Sequence, residues 1–168
     1  MKKIIIALLM CLPFTVMAQG SLKIGIFNSQ EVITIMPEYN AGMSELENMN
    51  LKYQTEAKKL QEELEKKYQE YTATAETLDA AIRQYKETEL ARLQQSIQEF
   101  ATNAENTLKK KQQELMMPII NKIQQAIKKV GDENNFTYII DNAANVVPYI
   151  SPNAENVLPL IKKALNIQ

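Results

Sequence analysis

Histidine and tryptophan are absent from the 168 residues, and cysteine occurs once, at Cys11. Without imidazole or paired thiols there is no histidine base, no disulfide and no ordinary zinc or copper site, because carboxylates alone suit those metals poorly. Excess charge of one sign is lacking too: 19 Lys and Arg stand against 20 Asp and Glu. Generic nucleic-acid binding needs clustered cations to displace counterions, so this balance argues against it. Glycine (four) and proline (six) are scarce, and the isolated glycines form no phosphate-cradling loop, which argues against nucleotide use. Beyond the N-terminus no apolar run approaches the roughly 18 residues of a membrane span. These absences describe a secreted, soluble and chemically plain protein.

The N-terminus carries the address. Lys2 and Lys3 precede the apolar run Ile4–Leu12, and Pro13, Phe14 and the small Ala18 follow. That order of charged, apolar and small residues predicts a signal peptide over 1–18, cleaved near Ala18. Its removal takes Cys11, Lys2 and Lys3 and leaves 17 basic against 20 acidic residues, a net charge of −3.

Between Gly42 and Pro118 there are 75 positions without glycine or proline, rich in Ala, Leu, Glu, Lys and Gln. Such a stretch of strong helix formers is too long for one ordinary globular helix. Heptads place Met43, Asn50, Ala57, Leu64, Tyr71 and Leu78 at a, and Leu46, Tyr53, Leu60, Lys67, Thr74 and Ala81 at d. A second seam runs Leu90, Leu93, Ile97, Phe100, Ala104, then shifts to Leu108, Leu115, Ile119, Ile123, Ile127 and Val130. The phase change between Leu78 and Leu90, with Thr77 or Asp79 as a cap, predicts a hairpin tip near 77–81. Glu62–Lys66, Glu63–Lys67 and Glu105–Lys109 have the spacing of in-helix ion pairs. Pro118 falls within the returning helix, where a bend or hinge is expected.

The flanks read differently. Lys23–Phe27 is a short strand, and Asn28 with Glu31 three residues on starts a short helix that ends before Pro37. Gly131 suits the C-terminal cap of the long helix, 136–141 a second strand, and 146–150 a third whose Pro148 demands an edge. Asn156 can cap a last helix through Leu165. The expected class is α+β, mostly α: a head from 19–42 and 131–168, with a long antiparallel coiled-coil hairpin arm over 43–130. A three-stranded head is marginal alone, so assembly with further copies is expected.

Candidate sites lie near the tip. Tyr68, Ile82 and Tyr85 fall outside the strict seam, beside Leu78, and suit weak, sequence-tolerant contact with apolar segments of another chain. Arg83 and Arg92, the only arginines, lie close by and could contact acidic clients. Glu62 and Glu63 lack a cavity to shift them into acid and base roles, and Lys109–Lys111 reads as a solvated helix face.

The order of these pieces resembles the Skp (OmpH) family of periplasmic chaperones. It rests on Lys23-Ile24-Gly25-Ile26-Phe27-Asn28, a long charged hairpin, and Ile123-Gln124-Gln125-Ala126-Ile127 flowing into Tyr138-Ile139-Ile140-Asp141. Gln112-Gln113-Glu114-Leu115 and the Pro118 break are similar to the version seen in Bacteroidetes-like bacteria. The resemblance implies a homotrimer with a small β-barrel body and three arms enclosing a cavity. Unfolded outer-membrane β-barrel proteins would be held there without ATP or any cofactor. Ile24, Ile26, Phe27, Tyr138, Ile140, Val147 and Tyr149 would form the trimer core. The best-known members are strongly basic and this chain is not, so neither electrostatic capture nor a lipopolysaccharide site is carried over. The rival reading is a structural coiled-coil envelope protein docking on a fixed partner.

Overall fold

The structure, a computed structural model, describes residues 22–167; the signal segment expected at 1–18 lies outside the described residues. Their elements follow in the order β1 (Ile24–Phe27), α1 (Ser29–Ile35), α2 (Pro37–Thr74), α3 (Ala80–Asn134), β2 (Tyr138–Asp141), β3 (Glu155–Asn156) and α4 (Leu158–Ala164). The class is the expected one, a small sheet beside long helices.

Local chemistry sets most boundaries. Asn28, in extended backbone, starts α1 by accepting the Gln30 N–H at 2.9 Å. Pro37 occupies the first turn of α2, where its missing N–H leaves no helical bond unmade. At 38 residues α2 is about 57 Å long, and the 55 residues of α3 reach about 82 Å. The turn between them covers 75–79, slightly earlier than the expected tip at 77–81. Thr77 closes α2, its N–H and hydroxyl both donating to the Thr74 carbonyl, and Asp79 caps α3 by accepting the Ile82 N–H at 3.0 Å. The Arg83 guanidinium donates to the Ala75 carbonyl at 2.8 Å and ties the turn together.

α3 runs unbroken through Pro118 and past Gly131. The cap expected at Gly131 is taken by Asn135, in the left-handed conformation (φ 54°), while the Gly131 carbonyl accepts the Phe136 N–H. An asparagine tolerates that backbone region better than most residues, and here it outlasts the glycine as a stop signal.

Contacts between α2 and α3 pair residues in reversed order. Glu38 bonds Lys122, Glu45 meets Lys111 at 2.8 Å, the Tyr53 and Phe100 rings meet edge to face at 6.0 Å, and Lys67 bonds Glu89 at 2.6 Å. The seam on α2 departs from the heptad reading at its start. Leu46, Met49, Tyr53 and Ala57 face α3, whereas Met43 and Asn50 are exposed. The interval from Leu46 to Ala57 is one 11-residue repeat, which turns Met43 and Asn50 off the seam. Gly42 lies in the pair's contact: a Cβ there would sit 3.4 Å from Leu115, so its lack of side chain sets a close approach. The in-helix ion pairs also differ from expectation. Lys67 crosses to Glu89, and the pairs formed include Lys58–Glu62, Lys66–Glu70 and Lys110–Glu114, all exposed and each contributing little.

The sheet has the order β2-β1-β3, with β1 parallel to both neighbours. Ile24 lies opposite Tyr138, Ile26 opposite Ile140 and also opposite Asn156. The third strand expected at 146–150 is corrected to Glu155–Asn156. Pro148 has no N–H to give a ladder, and the Asn142 side chain accepts the Val147 N–H at 3.0 Å, so this stretch is irregular, with a bend at Pro148. The second strand starts at Tyr138 rather than at residue 136 because Phe136 packs inward against the core. Asn156 accepts the Leu158 N–H at 3.0 Å, and Pro159 sits in the first turn of α4, where its missing N–H leaves no helical bond unmade.

The core lies where α3 crosses the sheet. Phe27, Val32, Met36, Ile119, Ile123, Ala126, Val130, Val157 and Ile161 are all buried there. Residues 119–130 therefore serve the head as well as the long helix.

Candidate functional site

Alternation along β1 divides its side chains between two environments. Gly25 and Phe27 are buried toward α3 and α4, whereas Ile24 and Ile26 project to the other face. Register sets Tyr138 and Ile140 beside them on that face. Tyr138 is 61 % exposed, so an apolar strip of the sheet is left open in the single subunit. Phe27 is part of the subunit's own core. Val147 is half-buried and Tyr149 exposed, both in the irregular segment between β2 and β3. Ile150 returns from that segment to line a shallow depression with Ile26.

The residues named near the tip do not form one cluster. Tyr68, exposed, shares a groove with Leu64, Leu90 and Ala91. Tyr85, also exposed, lines another depression with Arg92. Glu87 lines the Tyr68 groove, and Tyr85 two residues earlier stands about 200° around the helix, so the two tyrosines occupy different sides. Ile82 is exposed, Leu78 half-buried in the turn, and Arg83 engaged with Ala75. A further groove escaped the sequence reading: half-buried Leu46 and Leu108 with exposed Met43 beside them. The 11-residue spacing from Leu46 is the signal that would have found it.

Polar ties join the helices across the seam. The Tyr71 hydroxyl donates to Glu87 at 2.5 Å, a bond that raises the phenol above its ordinary pKa. The hydrogen bond between Lys67 and Glu89 raises the ammonium and lowers the carboxyl. Both lie at the surface, so they set alignment more than stability. In the head, Lys23 spans Glu155 at 3.2 Å, the Asn134 carbonyl at 3.2 Å and the Phe136 ring at 4.0 Å, and joins three segments distant in sequence.

Asp141 closes β2 onto α1, its carboxylate accepting the Ser29 N–H at 2.9 Å and the Ala143 N–H at 3.0 Å. Partial burial opposes its ionisation, but these bonds outweigh that effect and hold the carboxyl below its usual value. A depressed folded pKa adds stability above the unfolded value of about 3.9 and loses it as pH falls through the folded one. Asp141→Asn is therefore expected to be less stable than the wild type near neutrality, by under about 1 kcal/mol given its exposure. The two should converge as pH falls through the depressed folded value, as urea unfolding at several pH values would show.

Among the described residues no cluster of three or more His, Cys, Asp or Glu is placed to hold a metal ion, and no helix is long and apolar enough to cross a membrane. What the fold presents instead is partly exposed apolar surface, in the sheet's open strip and in grooves along a helix pair. Comparison with known proteins gives this architecture its family. The family described as outer membrane protein (OmpH-like) matches residues 23–165, and the chain belongs to it. It is similar to the chaperone protein Skp of Photorhabdus laumondii subsp. laumondii, 28% identical over 149 residues that cover 88% of this chain and 89% of the relative. The chaperone protein Skp of Photorhabdus luminescens is 27% identical over the same shares. This is a family of non-enzymatic chaperones, and the protein is not an enzyme.

Proposed function

We propose that this protein is a periplasmic holding chaperone for unfolded outer-membrane β-barrel proteins, acting as a homotrimer without ATP. The open strip of Ile24, Ile26, Tyr138 and Ile140 carries this reading. A head of three short strands with an uncovered apolar face is completed when three copies close their sheets into one barrel, with the segment of Val147 and Tyr149 alongside. The reversed contacts from Glu38–Lys122 to Lys67–Glu89 support an antiparallel coiled-coil arm on each subunit. Three such arms would enclose a cavity. Their exposed groups near the tip (Tyr68, Ile82 and Tyr85, with Leu78, Arg83 and Arg92) would hold a client by many weak contacts. Its unpaired strands would thereby be kept from one another. The secretory pattern of 1–18 supports the periplasm as the site of action. Release needs no nucleotide, because a β-barrel folded in its membrane satisfies every backbone bond and lies lower in free energy than the held chain.

The test is aggregation of a urea-diluted outer-membrane β-barrel protein, followed by light scattering without nucleotide. Suppression at about one trimer per client supports the reading. Saturable binding to one folded envelope partner, with no suppression, would favour the rival role as a spacer.

Pro118 supports a hinge. It deprives α3 of one backbone bond where the helix passes from Leu115, in contact with Gly42, to Ile119, 2 % exposed in the core. Pro118→Ala is expected to narrow the distribution of distances between spin labels at the three tips. An unchanged distribution and client capacity would end the hinge assignment.

A further inference from the structure

Support between the two long helices weakens toward the turn. Inward positions from Leu46 to Leu64 on α2 and from Leu90 to Leu108 on α3 are all apolar. Nearer the turn they become Lys67 and Tyr71 on α2, Ala75 and Leu78 in the turn itself, and Lys86 and Glu89 on α3. None of residues 43–103 is fully buried, so the apolar seam is thin along this length. Past Leu64 it stops.

What joins the helices beyond that point is polar. Lys67 meets Glu89 at 2.6 Å, the Tyr71 hydroxyl donates to Glu87 at 2.5 Å, and the Arg83 guanidinium donates to the Ala75 carbonyl at 2.8 Å. Ties of this kind at a surface contribute little against hydration and side-chain entropy. The helix is weaker here as well. Thr72 and Thr74 are poor helix formers, and their hydroxyls donate to the Gln69 and Glu70 carbonyls, in competition with the regular ladder. Residues 119–130, by contrast, place Ile119, Ile123, Ala126 and Val130 in the buried core.

We infer that residues 65–89 form a polar latch, an end unit that melts and re-forms on its own while the seam from Leu46 to Leu64 stays paired with α3. Opening free energies within one folded protein run from near zero up to the global value, and units with few buried apolar contacts sit at the low end. Lys67, Tyr71, Glu87 and Glu89 are the latch residues, since no leucine or isoleucine pair spans the helices at their level. Melting takes both helical ends together, because the turn at 75–79 joins them and forbids simple separation. Opened, the unit is a tethered loop of 25 residues that bares Tyr71, Ala75 and Leu78 beside the already exposed Ile82 and Tyr85. Closed, it is a firm tip. A hinge at Pro118 would move the whole arm, whereas this device acts only at the far end and does not depend on the holding reading.

The test is native-state hydrogen exchange of the full mature protein at several low urea concentrations. Amides of 66–74 and 84–89 are expected to be protected at least about a hundredfold less than those of 119–130, with a shallower urea dependence. Lys67→Gln/Tyr71→Phe removes two ties while keeping shape, and is expected to speed exchange in the latch about fivefold. Lys67→Leu/Glu89→Leu extends the apolar seam and is expected to slow that exchange about tenfold. Neither pair should move residues 119–130 by more than about twofold. Latch amides that share the protection and urea slope of 119–130 would overturn the inference, since arm and head would then melt as one piece. Latch amides without any protection, or variant effects of equal size in both regions, would overturn it too.

Discussion

The substitution Ile26→Glu is expected to convert the assembled protein to single subunits at micromolar concentration. Ile26 sits at the centre of the open strip, with Ile140 on one side and Asn156 on the other. In a lone subunit the position is only half-buried, so a carboxylate there can reach water. In the proposed trimer three copies of it would meet in a closed interior built from the apolar strip. An unpaired buried charge costs several kcal/mol, and its cost is multiplied by the symmetry of the assembly. Mass in solution by light scattering reads the result directly, and the far-ultraviolet circular dichroism of α2 and α3 should persist. Tyr68→Glu, which alters a comparably exposed aromatic on the helix pair, is expected to leave the mass unchanged. An assembled Ile26→Glu protein at every concentration would place the subunit interface elsewhere.

The second large effect belongs to Gly25. A Cβ at this position would lie 2.6 Å from Val157 Cγ1 and 3.2 Å from the Phe136 ring. Val157 is fully buried, so it has nowhere to retreat. Gly25→Val is therefore expected to destabilise the head by about 3 kcal/mol or more, at or beyond the usual cost of overpacking a core. Gly25→Ala should cost somewhat less, about 1–3 kcal/mol. Adding Val157→Ala to Gly25→Ala removes the contacting methyl, so the two losses should fall short of their sum by about 1 kcal/mol. Urea unfolding of the four proteins, followed by hydrogen exchange at the β1 amides, completes the cycle. Additive losses would mean that Gly25 acts through backbone freedom rather than through space.

Much of this architecture was legible in the residues. The long span between Gly42 and Pro118 declared the helix pair, and Asn28 and Asp79 each took the capping role their chemistry suggests. What misled was local. The heptad frame taken from Met43 missed an 11-residue interval, since Met43 and Met49 look alike to a hydrophobicity count and only the partner helix distinguishes them. Val146–Ile150 has the composition of a strand, but strand identity depends on an available ladder, and Asn142 and Pro148 remove it. Ile24, Ile26, Tyr138 and Ile140 alternate with inward residues, yet Phe27, grouped with them from the sequence, belongs to the inward set.

The parentage of the small sheet has a consequence for how the molecule forms. Its central strand, 24–27, pairs only with segments that begin at Tyr138 and Glu155, more than a hundred positions later. A polypeptide made from its N-terminus must therefore carry β1 unpaired through most of its synthesis, while α2 and α3 can zip locally from the turn at 75–79. Closure of distant ends is slow compared with such zipping. The last thirty residues thus act as the latch of the fold, and shortened chains that stop near Asn134 would retain helix yet never mature into a lasting subunit.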